Sequence, residues 1–240
     1  MLSVDIGAVA STNLYCELLD LSKVEELTVF YTHNQFAGIG QRGNTWHSSP
    51  HKNLTFSLIL KPTFLPANHQ FWLTMSLSLA LVDCLDALGL TAPIAIKWPN
   101  DIYVANKKIC GTLISNHLQG QNLATSICGI GLNVNEPHFP TDLPNATSIL
   151  LETRHETPLM PLLEQLVQCI KNRYDALRRG INPTPLYLQR LYMLGQQHHF
   201  ESNGVAFSAT VDGVDPWGRL VLCTTEGEKR CYNLKEVKWL

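Results

Sequence analysis

The stretch Lys97-Trp98-Pro99-Asn100-Asp101 is followed closely by a second basic pair, Lys107-Lys108. The apolar runs on either side of it, residues 93–96 and 102–104, are typical of short strands, and a turn at residues 105–107 leads into a further strand. Pro99 has no amide donor and a fixed φ, so the first strand must end beside its lysine. The sequence therefore predicts a hairpin that holds two lysines and a carboxylate close together. Such a set suits a site that neutralises phosphate and activates an acyl group, although two surface lysines beside an edge strand would give the same pattern.

Composition restricts the class of protein. The chain has 240 residues, of which 45% are hydrophobic and 16% charged, enough apolar content for a large buried core. Its formal net charge is −2, so the basic patch expected of a nucleic-acid-binding protein is not indicated. The sequence begins with no signal-peptide pattern and contains no apolar run long enough for a membrane span. We therefore expect a cytoplasmic protein with no membrane or nucleic-acid partner.

The seven cysteines form an odd set without a Cys-x-x-Cys pair. Most lie in apolar stretches, as Cys84 and Cys128 do, which favours reduced thiols acting as small hydrophobic residues. His47 and His51 have the spacing of a helical zinc pair. However, Ser48, Ser49 and Pro50 between them favour a loop, so the sequence predicts no metal site here.

Patterning predicts two units, residues 1–194 and residues 195–240. In the first unit, residues 26–31, 54–60 and 123–133 are expected to be strands, with one face of 54–60 on a core. Residues 71–88, 159–179 and 184–194 are expected to be helices, and Ser11 is expected to cap another short helix. From residue 195, short apolar runs alternate with glycine- and proline-containing turns. This texture predicts a small all-β module that packs on the larger unit.

The segment Gly38-x-Gly40-x-x-Gly43 matches the letters of the dinucleotide-binding fingerprint. That fingerprint needs a helix directly after the loop, whereas here a strand is predicted at Leu54, so we reject this interpretation. Glycines still let backbone amides approach an anion closely. Arg42 would add a guanidinium for phosphate and Trp46 a face for adenine, unless the segment is only a flexible surface loop.

Gly129 and Gly131 lie inside a predicted strand. A glycine in a strand usually marks a bulge or a place where another group approaches the backbone. On these residues alone, a ligand and a neighbouring strand are equally good candidates for that group.

Taken in order, these stretches resemble the biotin protein ligases, of the monofunctional type without an N-terminal DNA-binding domain. The matching segments are Ser11-Thr12-Asn13, Gln35 with residues 38–46, Lys97 to Asp101, Lys107-Lys108-x-x-Gly111, and residues 129–135. The resemblance implies an α+β fold with a mixed sheet flanked by helices, related to class II aminoacyl-tRNA synthetases, and a small C-terminal SH3-like barrel. It also implies that the chain joins biotin to ATP, forming biotinyl-5′-adenylate, and transfers the biotinyl group to a lysine of a biotin carboxyl carrier domain.

The resemblance also assigns residues to roles. Biotin would be bound by Ser11, Thr12, Asn13, Gln35, Gly38, Gly111, Gly129 and Gly131. ATP and the adenylate would be bound by Gly40, Arg42, Gly43, Trp46, Lys108 and Asn133. The catalytic set would be Lys97, Asp101, Lys108 and Arg42, with Lys97 and Asp101 where the acceptor lysine enters. Mg²⁺ is expected with ATP, but the sequence identifies no protein ligand for it.

The sequence departs from the family at the glycine loop. Ile39, Gln41 and Asn44 stand where relatives often have arginines that help to clamp the adenylate, so we expect a leakier intermediate. A lipoate or octanoyl attachment enzyme and a non-catalytic biotin sensor are the alternatives, and the retained lysines disfavour the sensor. With the chain starting just before Ser11, a repressor is not expected. The acceptor carboxylase and the choice between monomer and homodimer are left open.

Overall fold

The computed structural model describes residues 2–240, apart from the side chain of Arg42. The helices are α1 (Thr12–Glu17), α2 (Gln70–Asp86), α3 (Ile149–Thr153), α4 (Leu159–Arg178) and α5 (Thr184–Gln189). The strands up to residue 132 are β1 (Ser3–Asp5), β2 (Ala8–Val9), β3 (Val29–Thr32), β4 (Asn34–Gln35), β5 (Gly38–Ile39), β6 (Thr45–Trp46), β7 (Leu54–Leu60), β8 (Ile94–Lys97), β9 (Asp101–Val104), β10 (Lys107–Gln119) and β11 (Asn122–Leu132). The later strands are β12 (Gln197–Ser202), β13 (Val205–Val214), β14 (Leu220–Thr224), β15 (Lys229–Tyr232) and β16 (Lys238–Trp239).

A seven-stranded mixed sheet forms the centre of the molecule, with strand order β1-β3-β7-β11-β10-β9-β8. Only the edge pair β1 and β3 runs parallel within this sheet, and the remaining neighbours are antiparallel. Short pairings of β2 with β4 and of β5 with β6 lie outside it. The predicted mixed sheet flanked by helices is confirmed. The predicted hairpin is extended to three consecutive antiparallel strands, because Lys97 lies on β8, Asp101 on β9 and Lys108 on β10.

Helices cover both faces of this sheet. Leucines of α2 and α4 pack on one face in the main core, together with Phe56, Leu58 and Ile130 from the central strands. On the other face α1 forms a smaller cluster, in which Cys16 packs with Ile59 and neighbouring apolar residues. All seven residues of β7 are consequently buried. The expectation that β7 has only one buried face was therefore wrong, because the short helix α1 covers the second face.

The C-terminal strands form a five-stranded antiparallel sheet with order β15-β14-β13-β12-β16. This sheet confirms the predicted small β module, including one strand, β12, that the sequence pattern did not reveal. Its first strand begins at Gln197, and α5 ends at Gln189. The division into units at residue 195 stays a prediction.

Two helices differ from the sequence-based expectation. The helix expected over residues 184–194 ends at Gln189, and its continuation pairs with β8 through a hydrogen bond from Tyr192 N to Ile96 O (2.9 Å). The helix α3 was not predicted, because five residues carry too little periodicity.

Cys16, Cys84, Cys110 and Cys128 are buried free thiols, whereas Cys231 is exposed. Within residues 2–240, no helix has the length and apolar character that crossing a membrane would require.

Candidate active site

The strand register places the key residues in one row across the sheet. Thr55, Gly131, Gly111, Asp101 and Lys97 lie opposite one another on β7, β11, β10, β9 and β8 in turn. Residues directly opposite on adjacent strands share a face. The intervening residues belong to the core beneath α2 and α4, so this row faces the other side of the sheet, the side of α1. The site face is therefore formed by alternate residues of five strands, because successive side chains of a strand point to opposite faces of the sheet.

A β-bulge brings Lys108 onto the same face. The pairing of β10 with β9 shifts between Lys108 and Cys110, so Ile109 and Cys110 are both buried in the core. The Lys108 side chain then turns towards Asp101, and its Nζ lies 2.8 Å from Asp101 Oδ1. A side chain at Gly111 would stand 3.2 Å from the Lys108 ammonium. The bulge and the glycine together give the ammonium its place on the site face.

Two further glycines make room for protein side chains. A Cβ atom at Gly129 would overlap the amide of Asn13, and one at Gly131 would overlap the indole of Trp46. Asn13 donates to the backbone oxygen of Leu113 (3.0 Å) and is therefore tied to the sheet. Asn13 and Trp46 are therefore the groups that approach the strand backbone at Gly129 and Gly131 in this structure.

The N-terminus of α1 supplies polar groups at one end of this face. Ser11 occupies the N-cap position but makes no capping hydrogen bond with its side chain. The amide of Thr12 donates to Gln35 Oε1 (2.9 Å), which fixes the Gln35 side chain and leaves its Nε2 as a donor. The Ser57 hydroxyl donates to Asn13 Oδ1 (2.6 Å) and lies 2.8 Å from the Thr12 hydroxyl. These groups form a compact, buried hydrogen-bonding surface.

The glycine loop is a β-hairpin. Gly38 pairs with Trp46 in β5 and β6, and a single 3₁₀ turn at Gln41–Gly43 forms its tip. No long helix follows within residues 44–60, where the chain enters β6 and β7, in agreement with the rejection of the dinucleotide fingerprint. The backbone of Arg42 lies in the turn, and its side chain is outside the described part of the structure.

A cavity of about 310 Å³ lies over this face, a size typical of small-molecule sites. The predicted residues that line it are Ser11, Thr12, Asn13, Gln35, Gly40, Trp46, Lys97, Asp101, Lys108, Gly111, Gly129 and Gly131. Ile39, Gln41 and Asn44, the three departures from the family pattern, line it as well.

Three predicted residues do not line the cavity: Gly38, Gly43 and Asn133. Gly38 lies behind it against Gln35 and the backbone of Trp46. Asn133 donates to Thr147 O (3.0 Å) at the end of β11, so its side chain supports the loop before α3. Its Oδ1 is buried and makes no hydrogen bond within the described residues, so contact of Asn133 with a nucleotide stays a prediction.

The C-terminal sheet contributes a wall that sequence reasoning missed. Leu234, Val237, Lys238 and Trp239 line the cavity, as does Tyr103 of β9. Tyr103 could have been found, because it is two residues from Asp101 on the same strand and so shares its face. Nothing local in the sequence connects Trp239 with Lys97, because the two are joined only by tertiary packing.

The family model for the biotin/lipoate A/B protein ligases matches residues 7–133. The chain belongs to this family. This chain is 31% identical to the bifunctional ligase/repressor BirA of Bacillus subtilis over 232 residues, which cover 93% of this chain and 70% of that protein. It is 31% identical to the biotin–[acetyl-CoA-carboxylase] ligase of Paracoccus denitrificans over 196 residues, covering 78% of this chain and 80% of that protein. The fold is similar to that of the Aquifex aeolicus biotin protein ligase in complex with biotin and ATP, with a TM-score of 0.82, 22% identity and coverage of 100% and 99% of the two chains.

Some buried polar groups of this site make no hydrogen bond within the described residues. The buried indole N–H of Trp46 and the buried hydroxyl of Thr112 make no hydrogen bond within the described residues. Unpaired buried groups are rare in folded proteins, and a ligand is one of the partners that can satisfy them.

Burial lowers the pKa of Lys97, an effect that Asp101 opposes and the nearby Lys108 reinforces. No cluster of three or more His, Cys, Asp or Glu side chains able to hold a metal occurs among the described residues.

Proposed function

We propose that this chain is a biotin–protein ligase. It joins biotin to ATP, forming biotinyl-5′-adenylate and pyrophosphate, and then transfers the biotinyl group to a lysine of a biotin carboxyl carrier domain. The observation that carries the proposal is the convergence of Lys97, Asp101 and Lys108 on one cavity whose opposite end holds Ser11, Thr12 and Gln35. The family membership and the relatives that are named biotin ligases support it.

Biotin binds at the α1 end of the cavity. Its ureido ring presents one carbonyl acceptor and two N–H donors, which the hydroxyls of Ser11 and Thr12 and the amide of Gln35 can satisfy. The valeryl chain then runs past Gly111 towards Lys108, and the lack of a side chain at Gly111 keeps the Lys108 ammonium uncrowded. This orientation brings the biotin carboxylate to the ammonium of Lys108.

In the first step a carboxylate oxygen of biotin attacks the α-phosphorus of ATP, the bond to the β-phosphate oxygen breaks, and pyrophosphate leaves. Lys108 reduces the repulsion between the two anions and stabilises charge that develops on the α-phosphate. Asp101 holds Lys108 in place before the substrates arrive. Mg²⁺ enters with ATP as part of that substrate, and we assign it no protein ligand.

In the second step the neutral amine of the acceptor lysine attacks the acyl carbon, the bond to the phosphate oxygen breaks, and AMP leaves. The amine nitrogen loses one proton as the amide forms. Once Lys108 is engaged by the adenylate phosphate, the Asp101 carboxylate is available to orient the incoming amine and accept that proton. Lys97 lies directly opposite Asp101 on β8, at the same entrance.

The glycine loop closes the nucleotide end of the cavity. Trp46 presents an indole face beside Lys108, whose Nζ lies 5.6 Å from the ring centroid. An adenine stacked there would lie next to the α-phosphate. Gly40 contributes backbone and Arg42 a positive charge to the same hairpin.

The experiment is ATP–pyrophosphate exchange with the purified chain, with biotin, lipoate or octanoate added separately. We expect exchange with biotin only, followed by biotin transfer to an isolated carrier domain. Exchange with lipoate or octanoate instead would identify the alternative enzyme of the same family. Biotin binding without exchange would identify a sensor.

A further inference from the structure

The ammonium of Lys97 is enclosed by three aromatic rings, one from the neighbouring strand β9 and two from distant parts of the chain. Its Nζ lies 5.0 Å from the ring centroid of Tyr103, 5.8 Å from that of Tyr192 and 5.1 Å from that of Trp239. The rings also contact one another, with centroids 5.3 Å apart for Tyr103 and Tyr192 and 5.9 Å for Tyr192 and Trp239. We call these three residues the Lys97 cage.

Lys97 depends on this cage because no carboxylate forms an ion pair with it among the described residues. The nearest acidic group, Asp101, is paired with Lys108 at 2.8 Å. The hydroxyl of Tyr103 lies 3.4 Å from Lys97 Nζ, a long and weak hydrogen bond. Cation–π attraction is therefore the main force that fixes this half-buried ammonium.

Each wall of the cage is itself held in place. Tyr103 lies on β9, and the segment carrying Tyr192 is bonded to Ile96, next to Lys97. Trp239 pairs with Phe200 across β12 and β16, and their rings lie 4.8 Å apart. The indole N–H of Trp239 has no acceptor in the described part of the chain, so ring packing determines its position.

We propose that Trp239 is a positioning residue for the transfer step, through which the C-terminal sheet completes the catalytic site by fixing the ammonium of Lys97. This inference rests on the proposed function. A free lysine side chain samples many rotamers, and the cage restricts Lys97 to the entrance opposite Asp101. A fixed cation there disfavours the protonated form of the incoming acceptor amine, and only the neutral amine attacks the acyl carbon.

The test is a double-mutant cycle on transfer from preformed biotinyl-adenylate to a carrier domain, measured in a single turnover. Trp239→Leu should lower the transfer rate about tenfold in the wild-type background, a loss within the range of a cation–π contact and its ordering effect. In the Lys97→Met background, the same change should lower the rate less than twofold, because nothing is left to position. Trp239→Phe, which retains a ring, should restore most of the rate.

Phe207→Leu is the control for general weakening of the C-terminal sheet. Phe207 stacks on Phe200 and Tyr232 and contributes no ring to the cage. Its effect should be the same with Lys97 and with Met at position 97. If Trp239→Leu does not fold, Trp239→Met replaces it in the cycle.

Equal losses from Trp239→Leu in both backgrounds would overturn the positioning role, as would failure of Trp239→Phe to restore transfer. Biotin-dependent pyrophosphate exchange is measured on the same preparations. Exchange with an additive cycle would reject this inference alone, whereas absence of exchange in the wild-type chain would reject the proposed function.

Discussion

Lys108 and Asp101 form an ion pair across β10 and β9, with Nζ 2.8 Å from Oδ1. The sequence places Lys108 with the adenylate and Asp101 where the acceptor lysine enters, so this direct contact is a finding of the structure. The pair exists because a β-bulge after Lys108 turns its side chain to the face that carries Asp101 and Gly111. Both side chains are about 30% exposed, so the pair lies at the cavity surface, where its stabilising effect is modest. The functional effect of the pair is that it places one cation and one anion within reach of the same ligand.

Asp101→Asn keeps the shape of the side chain and removes its charge. We expect a loss of about tenfold in adenylate formation, because Lys108 is less well held, and a loss of about a hundredfold in transfer, because the group that accepts the proton is gone. Pyrophosphate exchange and single-turnover transfer report on the two steps separately. Equal losses would contradict the proton-accepting role of Asp101.

Gly129→Ala and Gly131→Ala form a matched pair that differs only in the side chain displaced. The first pushes on Asn13, at the biotin end, and the second on Trp46, at the nucleotide end. We expect about tenfold or higher KM for biotin from the first and for ATP from the second, since misplaced contacts are lost in binding. If both changes raised the same KM, the assignment of the two ends of the cavity would be wrong.

The glycine hairpin predicts how well the adenylate is retained. Ile39, Gln41 and Asn44 all line the cavity without a positive charge. We expect this chain to biotinylate bystander lysines more than an arginine-rich relative does. Gln41→Arg should reduce that labelling several-fold, with Lys23→Arg, on an exposed surface, as the control. No excess over the relative in a side-by-side assay would contradict the leaky-adenylate prediction.

Cys16 predicts a loss of stability at alkaline pH. Burial against the sheet raises the pKa of its thiol from 9.0 to about 12. Well below pH 9 the thiol is protonated in both folded and unfolded chains, so its contribution to stability is constant. As pH rises from about 9 to 12 the thiol ionises first in the unfolded chain. By pH 10 this lowers the free energy of unfolding by about 1 kcal/mol.

Urea unfolding at about pH 8 and pH 10, with reductant present, measures this effect. The fall in the free energy of unfolding between the two pH values should be smaller in Cys16→Ala than in the wild-type chain. Cys231→Ala, at an exposed position, should show the wild-type fall. An unchanged fall in Cys16→Ala would contradict the account.

Much of the fold follows from local patterns. The runs at residues 54–60 and 94–97, the hairpin after Asp101 and the stripe of α4 all carry the periodicity of the element they form. The burial of both faces of β7 could not be predicted, because α1 has only six residues and its contribution to the core is tertiary. The same limit applies to β12, which is recognisable only when paired with β13.

The site was predictable where chemistry is concentrated in short segments. Lys97, Asp101 and Lys108 lie on three consecutive antiparallel strands, β8, β9 and β10, so their proximity follows from the chain itself. The Lys97 cage was not predictable, because Tyr192 and Trp239 are brought in by packing of the C-terminal sheet. The neighbours of Gly129 and Gly131 were equally hidden, since a strand glycine does not reveal what covers it.

The central claim is that Lys108 stabilises the reaction between the biotin carboxylate and the α-phosphate of ATP. Biotin-dependent ATP–pyrophosphate exchange by Lys108→Ala tests it most directly, with Lys107→Ala, an exposed neighbour, as the matched control. We predict that Lys108→Ala lowers exchange by about 10²- to 10³-fold and that Lys107→Ala leaves it at the wild-type rate. Near-normal exchange by Lys108→Ala would contradict the account.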